Sequence, residues 1–552
     1  MRTPHVTDNS PSGIGRASAL LASGTLVSRI LGFVSAAVLA TAIGLQGSSA
    51  DTFTLANPLP NNIYAIIAGG LLTAVLVPQI VRAGLHDDGG QKFINRLITL
   101  GVVVFLGIAI IATLCAPLLV SLYAQSGPRG FSDAEMALAI GFAYWCLPQL
   151  FFYALYTLLG EVLNARKVFG PFTWAPALNN LIAIAGLVVF IAIYGGAEFH
   201  TEASSWTPDR IALLAGSATV GIAAQALVLG LFWRRAGLKY RPEFQWRGVG
   251  LGNTGKAAAW VFGMVLATQI AGIVETNVAT LASGEGDASL AIMRYGWLIF
   301  MLPHSIVTVS IATAYFTRMS NHASAGDIPA VRDDVSSSLR FILMFMVFAC
   351  IGLFVLAWPF SAVSGATYGE VGNLTIVLMA YLAGLIPFTI IFVLHRVFFS
   401  LEDTRTPFFV QVVQVIIYIS GALLVGAFVP TQWIAVSLAG VITIAGTIQT
   451  ILAGVLLHRR IGGLGMGSVA RRAGWFLLAA LPAAAVGIGV IALLGGVGEG
   501  AFPVDSKIGG IATMAAAGSV MLAVYCGILL ATKNPEFLAF ARPILSRIRR
   551  SS

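Results

Sequence analysis

The sequence predicts an all-α polytopic membrane protein with about fourteen transmembrane helices. Of its 552 residues, 57% are hydrophobic and only 10% are charged, and the mean hydropathy is +0.88. Soluble chains carry about 25% charged residues, so this composition excludes a large water-soluble fold. The apolar residues fall in runs long enough to cross a bilayer, which takes roughly 20 residues. We place these runs near 17–45, 55–82, 94–122, 134–163, 172–194, 209–233, 257–282, 288–317, 337–362, 373–399, 408–428, 433–457, 473–494 and 509–531.

Positive charge is distributed unequally between the loops that join these runs. Of the 32 Lys and Arg residues, 26 lie in tails, alternate loops or adjoining run edges on one side of the membrane. Loops that stay in the cytoplasm accumulate such residues, so we expect both termini there. Residues 1–15 contain no apolar core, and the first run is therefore expected to start membrane insertion itself.

The remaining polar residues form no catalytic or metal-binding pattern. The net charge of +9 sits in short loops beside apolar runs, which favours anionic membrane lipids over nucleic acid as partners. The four Cys lie inside apolar runs without metal-ligand spacing, and the seven His are scattered. We therefore expect no catalytic residue, no metal site and no cofactor, while a coupling cation of unknown identity stays open.

The two halves of the chain contain an internal repeat. The pattern Leu-Pro-x-x-Ile at 59–63 recurs at 302–306, and the stretch 148–172 resembles 387–408, at offsets of 243 and 236–239 residues. Two matches in the same order predict two lobes of six spans, related as parallel repeats because six is even. Such lobes are typical of alternating-access transporters, whose site lies where the lobes meet.

The domain boundaries follow from the runs and the repeat. We expect a cytoplasmic tail (1–16), an N-lobe of helices 1–6 (17–235), a cytoplasmic linker (236–256), a C-lobe of helices 7–12 (257–457), two extra helices (458–531) and a basic cytoplasmic tail (532–552).

Three arginines, Arg29, Arg294 and Arg396, lie inside apolar runs. Charges at that depth are costly in lipid and usually face a cavity, so they are the first candidates for function. Arg29 lies about 12 residues into its run, or roughly 18 Å deep at 1.5 Å per residue. Arg396 lies near the cytoplasmic end of its run and is expected to reach the interface.

The stretch 25–33, Thr-Leu-Val-Ser-Arg-Ile-Leu-Gly-Phe, opens a series of motifs that resembles a known family. The series continues with Ala50-Asp51-Thr52-Phe53, Leu59-Pro60-Asn61, Val77-Pro78-Gln79-Ile80, Leu163-Asn164 and Asp403-Thr404-x-Thr406-Pro407. It resembles the MurJ/MviN family of lipid II flippases, within the multidrug, oligosaccharidyl-lipid and polysaccharide exporter group. The chain is similar to a short actinobacterial-type member.

The resemblance implies a V-shaped pair of lobes in the bacterial cytoplasmic membrane. Such a protein serves peptidoglycan biosynthesis and cell shape by moving lipid II from the inner to the outer leaflet through alternating access. Arginines in its central cavity would hold the diphosphate, and the last two spans would form a groove for the polyprenyl tail.

The cavity arginines of the family are only partly retained. Arg29 is present, but the next three positions hold Ser35, Tyr64 and Leu298. Arg294 lies one helical turn from Leu298 on the same face, so we expect it to restore a cation to the cavity. These five positions are the predicted substrate contacts.

Acidic residues mark the predicted gate and entrance. Asp51 matches an acidic family position at the outward end of the first hairpin, where it is either a gate contact or a solvated loop acid. Glu275 either forms an ion pair with Arg294 or acts as a gate or coupling residue. The cytoplasmic entrance is expected to be bordered by Glu161, Arg166 and Arg405.

Three other functions remain open from the sequence. The chain could flip another polyprenyl-diphosphate-linked glycan, since the arginines at three family positions are missing. It could instead be a non-transporting paralogue that holds cell-wall synthesis enzymes. A membrane glycosyltransferase is the enzyme alternative, and the absence of an acidic metal motif in a sizeable loop argues against it.

Overall fold

A computed structural model describes residues 11–68, 90–127, 129–166, 168, 170–200, 202–244, 255–283 and 287–541. Most of these residues are helical and none of them lies in a β-strand, which confirms the predicted all-α class. The chain divides into two compact units, Met1–Gln269 and Ile270–Ser552. The boundary between them falls within a helix.

The first unit holds nine helices and most of a tenth among the residues described. They are α1 Pro11–Ile43, α2 Ser48–Ala56, α3 Leu59–Ala68, α4 Gln91–Leu114, α5 Ala116–Tyr123, α6 Asp133–Cys146, α7 Gln149–Ala165, α8 Gly170–Tyr194, α9 Pro208–Gly230 and α10 Gly255–Ala279.

The second unit holds the end of α10 and eleven further helices in its described part. They are α11 Leu290–Pro303, α12 Val309–Ser324, α13 Ile328–Val355, α14 Ala357–Ala362, α15 Tyr368–Leu382, α16 Leu385–Ser400, α17 Arg405–Phe428, α18 Thr431–Ile461, α19 Met466–Leu493, α20 Phe502–Asp505 and α21 Lys507–Ala531.

The membrane spans agree with the predicted runs. Twelve helical stretches of the described chain are long and apolar enough to cross a bilayer, and the bent pair α15–α16 makes a thirteenth. Each of them overlaps one predicted run. The predicted run 55–82 lies largely outside the described residues, because α3 ends at Ala68. The chain is a multi-pass membrane protein.

Small residues allow α1 to pack closely on α8. Gly24, Ser28 and Gly32 recur every four residues and so share one face of α1. A Cβ at Gly24 would lie 2.9 Å from the Thr173 side chain, so a larger residue would force the helices apart. The Asn180 side chain donates a 2.8 Å hydrogen bond to the Ser28 carbonyl. This small-residue face orients the whole helix within the first unit.

Two spans of the second unit are interrupted. After Pro303 the helix continues through a π-helical turn at His304–Thr308 before α12 begins, as expected where proline removes a backbone donor. The α15–α16 pair is bent by 43°. A Cβ at Gly384, in this bend, would lie 2.7 Å from the Thr443 hydroxyl of α18, so only glycine permits this approach.

The chain that follows α9 folds back onto α4. We call residues 238–244 the strap. The Gln91 side chain donates to the Lys239 carbonyl at 2.7 Å and accepts from its N–H at 3.1 Å. Farther along α4, Arg96 forms an ion pair with Glu243 at 2.9 Å. This part of the predicted linker 236–256 is therefore bound to the first unit, while residues 245–254 lie outside the described residues.

Candidate functional site

Arg29 projects from the exposed side of α1. The small-residue face that includes Ser28 packs on α8, and Arg29 lies one residue beyond it, exposed. No hydrogen bond or ion pair joins Arg29 to another residue that the structure describes. Since an unpaired guanidinium is costly in lipid, its exposed position favours a water-filled cavity. Ser35, farther along the same helix, is half-buried.

Tyr64 belongs to a polar stripe that the sequence analysis missed. Its hydroxyl donates to the Thr157 hydroxyl at 2.6 Å, and its ring stacks on Tyr153 with centroids 6.1 Å apart. Tyr153, Thr157 and Glu161 follow at four-residue spacing on α7, so they share one helix face. That spacing of polar residues within an apolar run was the signal available in the sequence. The structure thus brings Tyr64 close to Glu161, two residues predicted for separate roles.

Arg294 and Leu298 lie one turn apart on α11, as predicted. Arg294 is exposed and Leu298 is half-buried. Arg294 interacts electrostatically with Glu275 of α10 and with the buried Tyr381 of α15. Among the described residues, however, no ion pair joins Arg294 to Glu275. The guanidinium therefore keeps its donors available for a ligand.

Glu275 lies half-buried among aromatic hydroxyls. The Tyr418 hydroxyl of α17 lies beside its carboxylate, with a geometry that falls short of a hydrogen bond. Tyr381 adds a second buried phenol nearby. A carboxylate with two phenols and one guanidinium around it can hold a proton or a small cation.

Arg396, the third arginine within an apolar run, has aromatic partners. Its guanidinium lies over the Phe316 and Phe392 rings, 5.4 and 5.0 Å from their centroids. Cation–π contacts of this kind compensate part of the loss of water around the charge. Arg29 and Arg294 have no comparable partner within the described chain, and they remain the two candidate anion ligands.

Asp51 is completely buried in the first turn of α2. Of the two alternatives predicted for it, a solvated loop acid does not fit this burial. Nearby, the Trp206 indole donates to the Ser49 hydroxyl at 2.7 Å, and Ser49 donates to the His200 carbonyl. The His200 ring is buried as well, and burial together with the Arg210 charge lowers its pKa below the usual 6.5. We call this buried cluster at one end of the first unit, formed by Ser49, Asp51, His200 and Trp206, the plug.

The residues predicted for the cytoplasmic entrance occupy helix ends. Glu161 and Arg166 are half-buried near the end of α7. Arg405 begins α17 and lies 5.6 Å from the centroid of the Phe409 ring.

Asp403 organises the start of α17, a role that the sequence analysis did not assign. It accepts hydrogen bonds from the Thr406 N–H at 2.9 Å and from its hydroxyl at 2.7 Å, and it pairs with Arg460. Burial by itself raises the pKa of Asp403, but these bonds and the Arg460 charge outweigh it and hold the pKa below 3.8. The motif residue is therefore an ionised helix cap.

Arg29 in the first unit and Arg294 in the second each expose a guanidinium that can bind an anion. Within the ranges that the structure describes, no group of three or more His, Cys, Asp or Glu side chains could coordinate a metal ion. The four cysteines are free thiols, two of them buried.

The fold matches that of solved membrane proteins. A solved lipid II flippase MurJ in an inward closed conformation matches 94% of this chain and 100% of its own, with a TM-score of 0.70 at 18% identity. A multidrug resistance MATE family transporter of the MOP superfamily, inward-facing, matches 81% of this chain and 94% of its own, with a TM-score of 0.54 at 15% identity. The chain therefore has the same fold as these solved proteins.

Sequence comparison gives the family. The model of the lipid II flippase MurJ family matches residues 39–506. A probable lipid II flippase MurJ of Haemophilus influenzae is 26% identical over 483 residues, covering 83% of this chain and 88% of the relative. The corresponding protein of Bdellovibrio bacteriovorus is 26% identical over 556 residues, covering 97% and 96%. The chain belongs to the lipid II flippase MurJ family, which confirms the resemblance found in its motifs.

Proposed function

We propose that the chain flips lipid II from the inner to the outer leaflet of the bacterial cytoplasmic membrane by alternating access. The observation that carries this proposal is the family match, which runs from residue 39 to residue 506 and so covers both units. Membership of a transporter family supports transport over catalysis. In our proposal the headgroup crosses without any covalent step, and the chain works in peptidoglycan synthesis.

Arg29 is the principal ligand of the diphosphate in this mechanism. A guanidinium presents paired donors that match phosphate oxygens, and it keeps its charge at any physiological pH. Its exposure and its lack of a protein partner among the described residues leave those donors available. Arg294 supplies a second cation, in place of the family arginine whose position is occupied by Leu298 in this chain. Ser35 and Tyr64 then contribute hydroxyls where the family carries charge.

Glu275 is the proposed coupling residue. Its carboxylate lies beside Tyr418 and interacts with Arg294, so a change in its charge would be felt at a substrate ligand. Taking up a proton or a small cation at this carboxylate would remove its attraction for Arg294, so the guanidinium would bind diphosphate more tightly. The membrane potential adds about 2.3 kcal/mol per charge per 100 mV, and an inside-negative potential favours anion exit.

Asp51 and the entrance residues control access in the proposed cycle. The buried Asp51 belongs to the packed plug of the first unit, which we assign to the outer side because the loop charges predict that topology. Opening to the outside requires that plug to loosen. Glu161, Arg166 and Arg405 lie near helix ends on the cytoplasmic side of the same topology, where the headgroup enters.

The test is rescue of bacteria whose own lipid II flippase can be switched off. We expect this chain to restore growth and to restore lipid II at the outer leaflet. An Arg234→Gln variant, which removes one exposed charge from a loop, should rescue equally well. Absence of rescue by a chain present at normal membrane levels would contradict the proposal.

A second substrate class follows from Ser35, Tyr64 and Leu298, which replace three family arginines. A site with fewer cations suits a headgroup with different polar groups. Purified protein in liposomes, offered lipid II or another polyprenyl-diphosphate glycan, separates the two. Preferred transport of the second lipid would favour this alternative, and transport of neither would favour a non-transporting scaffold.

A further inference from the structure

The second unit carries an apolar groove. It runs between α16 and α18 and reaches the first residue of α19, with a cavity of about 500 Å³. That volume is within the range of roughly 300–1,000 Å³ typical of small-molecule sites. Its walls are formed mainly by Ile386, Ile390, Leu394, Ile451, Gly454 and Val455.

The groove offers no free hydrogen-bonding group along its length. Its two threonine hydroxyls are used within the protein: Thr447 donates to the Thr443 carbonyl at 2.7 Å, and Thr450 donates to the Pro387 carbonyl at 3.0 Å. The second bond satisfies a carbonyl of the bent, proline-containing span α15–α16. The wall of the groove is therefore suited to hydrocarbon.

The charge at one end of the groove is positive and unpaired. His458 and Arg459 line this end, in the last turn of α18. Arg460, the next residue, is already paired with Asp403, whereas Arg459 has no ion pair with any described residue. Part of this basic cluster complements the helix dipole, but a free guanidinium at the mouth of an apolar groove also calls for an anion.

The length of the groove matches one leaflet of a bilayer. Thr447 and Arg459 are twelve residues apart on a continuous helix, which corresponds to about 18 Å. The hydrocarbon of one leaflet is about 15 Å thick, half of a bilayer core of about 30 Å. On the topology that the loop charges predict, Arg459 lies at the headgroups of the cytoplasmic leaflet.

We propose that this groove binds an anionic diacyl phospholipid of the cytoplasmic leaflet. One acyl chain lies between α16 and α18, and Arg459, with His458 beside it, holds the phosphate. An acyl chain is about one leaflet long and fills the groove, whereas a polyprenyl tail is several times longer. The bound lipid is not the transported substrate, so this site goes beyond the proposed flippase function.

The experiment measures lipid binding to the full-length protein by native mass spectrometry. Protein purified in mild detergent is titrated with phosphatidylglycerol, phosphatidylcholine or undecaprenyl phosphate. We expect one tightly held phosphatidylglycerol per chain and weaker binding of the other two lipids. Arg459→Gln should weaken phosphatidylglycerol binding about tenfold, the effect of losing one charge-assisted contact.

Two substitutions at one position test the groove itself. A Cβ at Gly454 would have the Leu394 side chain as its nearest neighbour, at 3.9 Å. Gly454→Ala therefore fits and should keep the lipid, while Gly454→Leu should fill the groove and displace it. Arg234→Gln, an equal loss of charge elsewhere, should leave binding unchanged.

Three results would overturn the assignment. Equal binding of phosphatidylcholine would show that the anion is not recognised. Stronger binding of undecaprenyl phosphate would assign the groove to the substrate tail. Unchanged phosphatidylglycerol binding in both Arg459→Gln and Gly454→Leu would place the lipid elsewhere. None of these readouts includes transport, so they test the groove separately from the flippase proposal.

Discussion

Replacing Arg29 by alanine tests whether this residue binds the substrate or stabilises the structure. In the structure this side chain is exposed on a spanning helix and makes no hydrogen bond or ion pair with the described residues. Its removal therefore breaks no visible contact. An arginine at the centre of a spanning helix costs about 2.5–3.5 kcal/mol of insertion free energy. Arg29→Ala should consequently leave insertion unchanged or make it more favourable.

The effect on transport should be large and in the opposite direction. Truncating one partner of a desolvated charge pair costs about 2–5 kcal/mol, and each 1.4 kcal/mol is a factor of ten. Transport of a diphosphate lipid should thus fall about 30-fold or more in Arg29→Ala. Arg29→Lys should retain part of the activity, because it keeps the charge and loses the planar fork.

Two measurements on the same variants decide the question. The first is rescue of flippase-depleted cells, with the membrane level of each variant determined in parallel. The second is the thermal unfolding midpoint of the purified protein. We expect loss of rescue with normal protein level and an unfolding midpoint no lower than that of the parent. Normal growth with Arg29→Ala would remove this residue from the substrate site, and a midpoint several degrees lower would show that it has a structural role.

Two further predictions concern the second unit and the plug of the first unit. Arg294→Ala should impair rescue, and adding Leu298→Arg should recover part of it; full activity of an Arg294→Ala/Glu275→Ala double variant, without recovery by Leu298→Arg, would show that the two charges only neutralise each other. Because burial and the Arg210 charge lower the pKa of His200, stability should be greatest above pH 6.5 and should decline as the pH falls through that value. His200→Gln should flatten this part of the pH profile of the unfolding midpoint, and an unchanged profile would contradict the reasoning.

The spans could be read from the sequence because each depends on local composition. A run of about 20 apolar residues has few alternatives to a spanning helix, since every backbone group must be satisfied inside the bilayer. One example is the predicted run 172–194, which the structure shows as a helix from Gly170 to Tyr194. Interruptions within the spans were less predictable. Pro303 indicates one of them, but the π-helical turn that follows this proline depends on the surrounding packing.

The candidate site was only partly predictable. Arg29 and Arg294 stand out in the sequence because charge is rare in apolar runs, and the one-turn relation of Arg294 to Leu298 is a matter of helix geometry. The burial of Asp51 could not be derived, because it depends on how helices distant in sequence pack over α2. The contact between Tyr64 and Thr157 joins residues 93 positions apart, which no local pattern specifies.

The strap has a consequence for how the protein is made. Its ion pair joins Arg96 to Glu243 across 147 positions of sequence, and its other contacts span a similar separation. All the partners belong to the first 244 residues, so a ribosome has delivered every one of them before it translates the spans of the second unit. Domains of large proteins generally fold in the order of their synthesis. A nascent first unit thus already contains the strap that binds α4, so these contacts can form in the membrane before the rest of the chain is inserted.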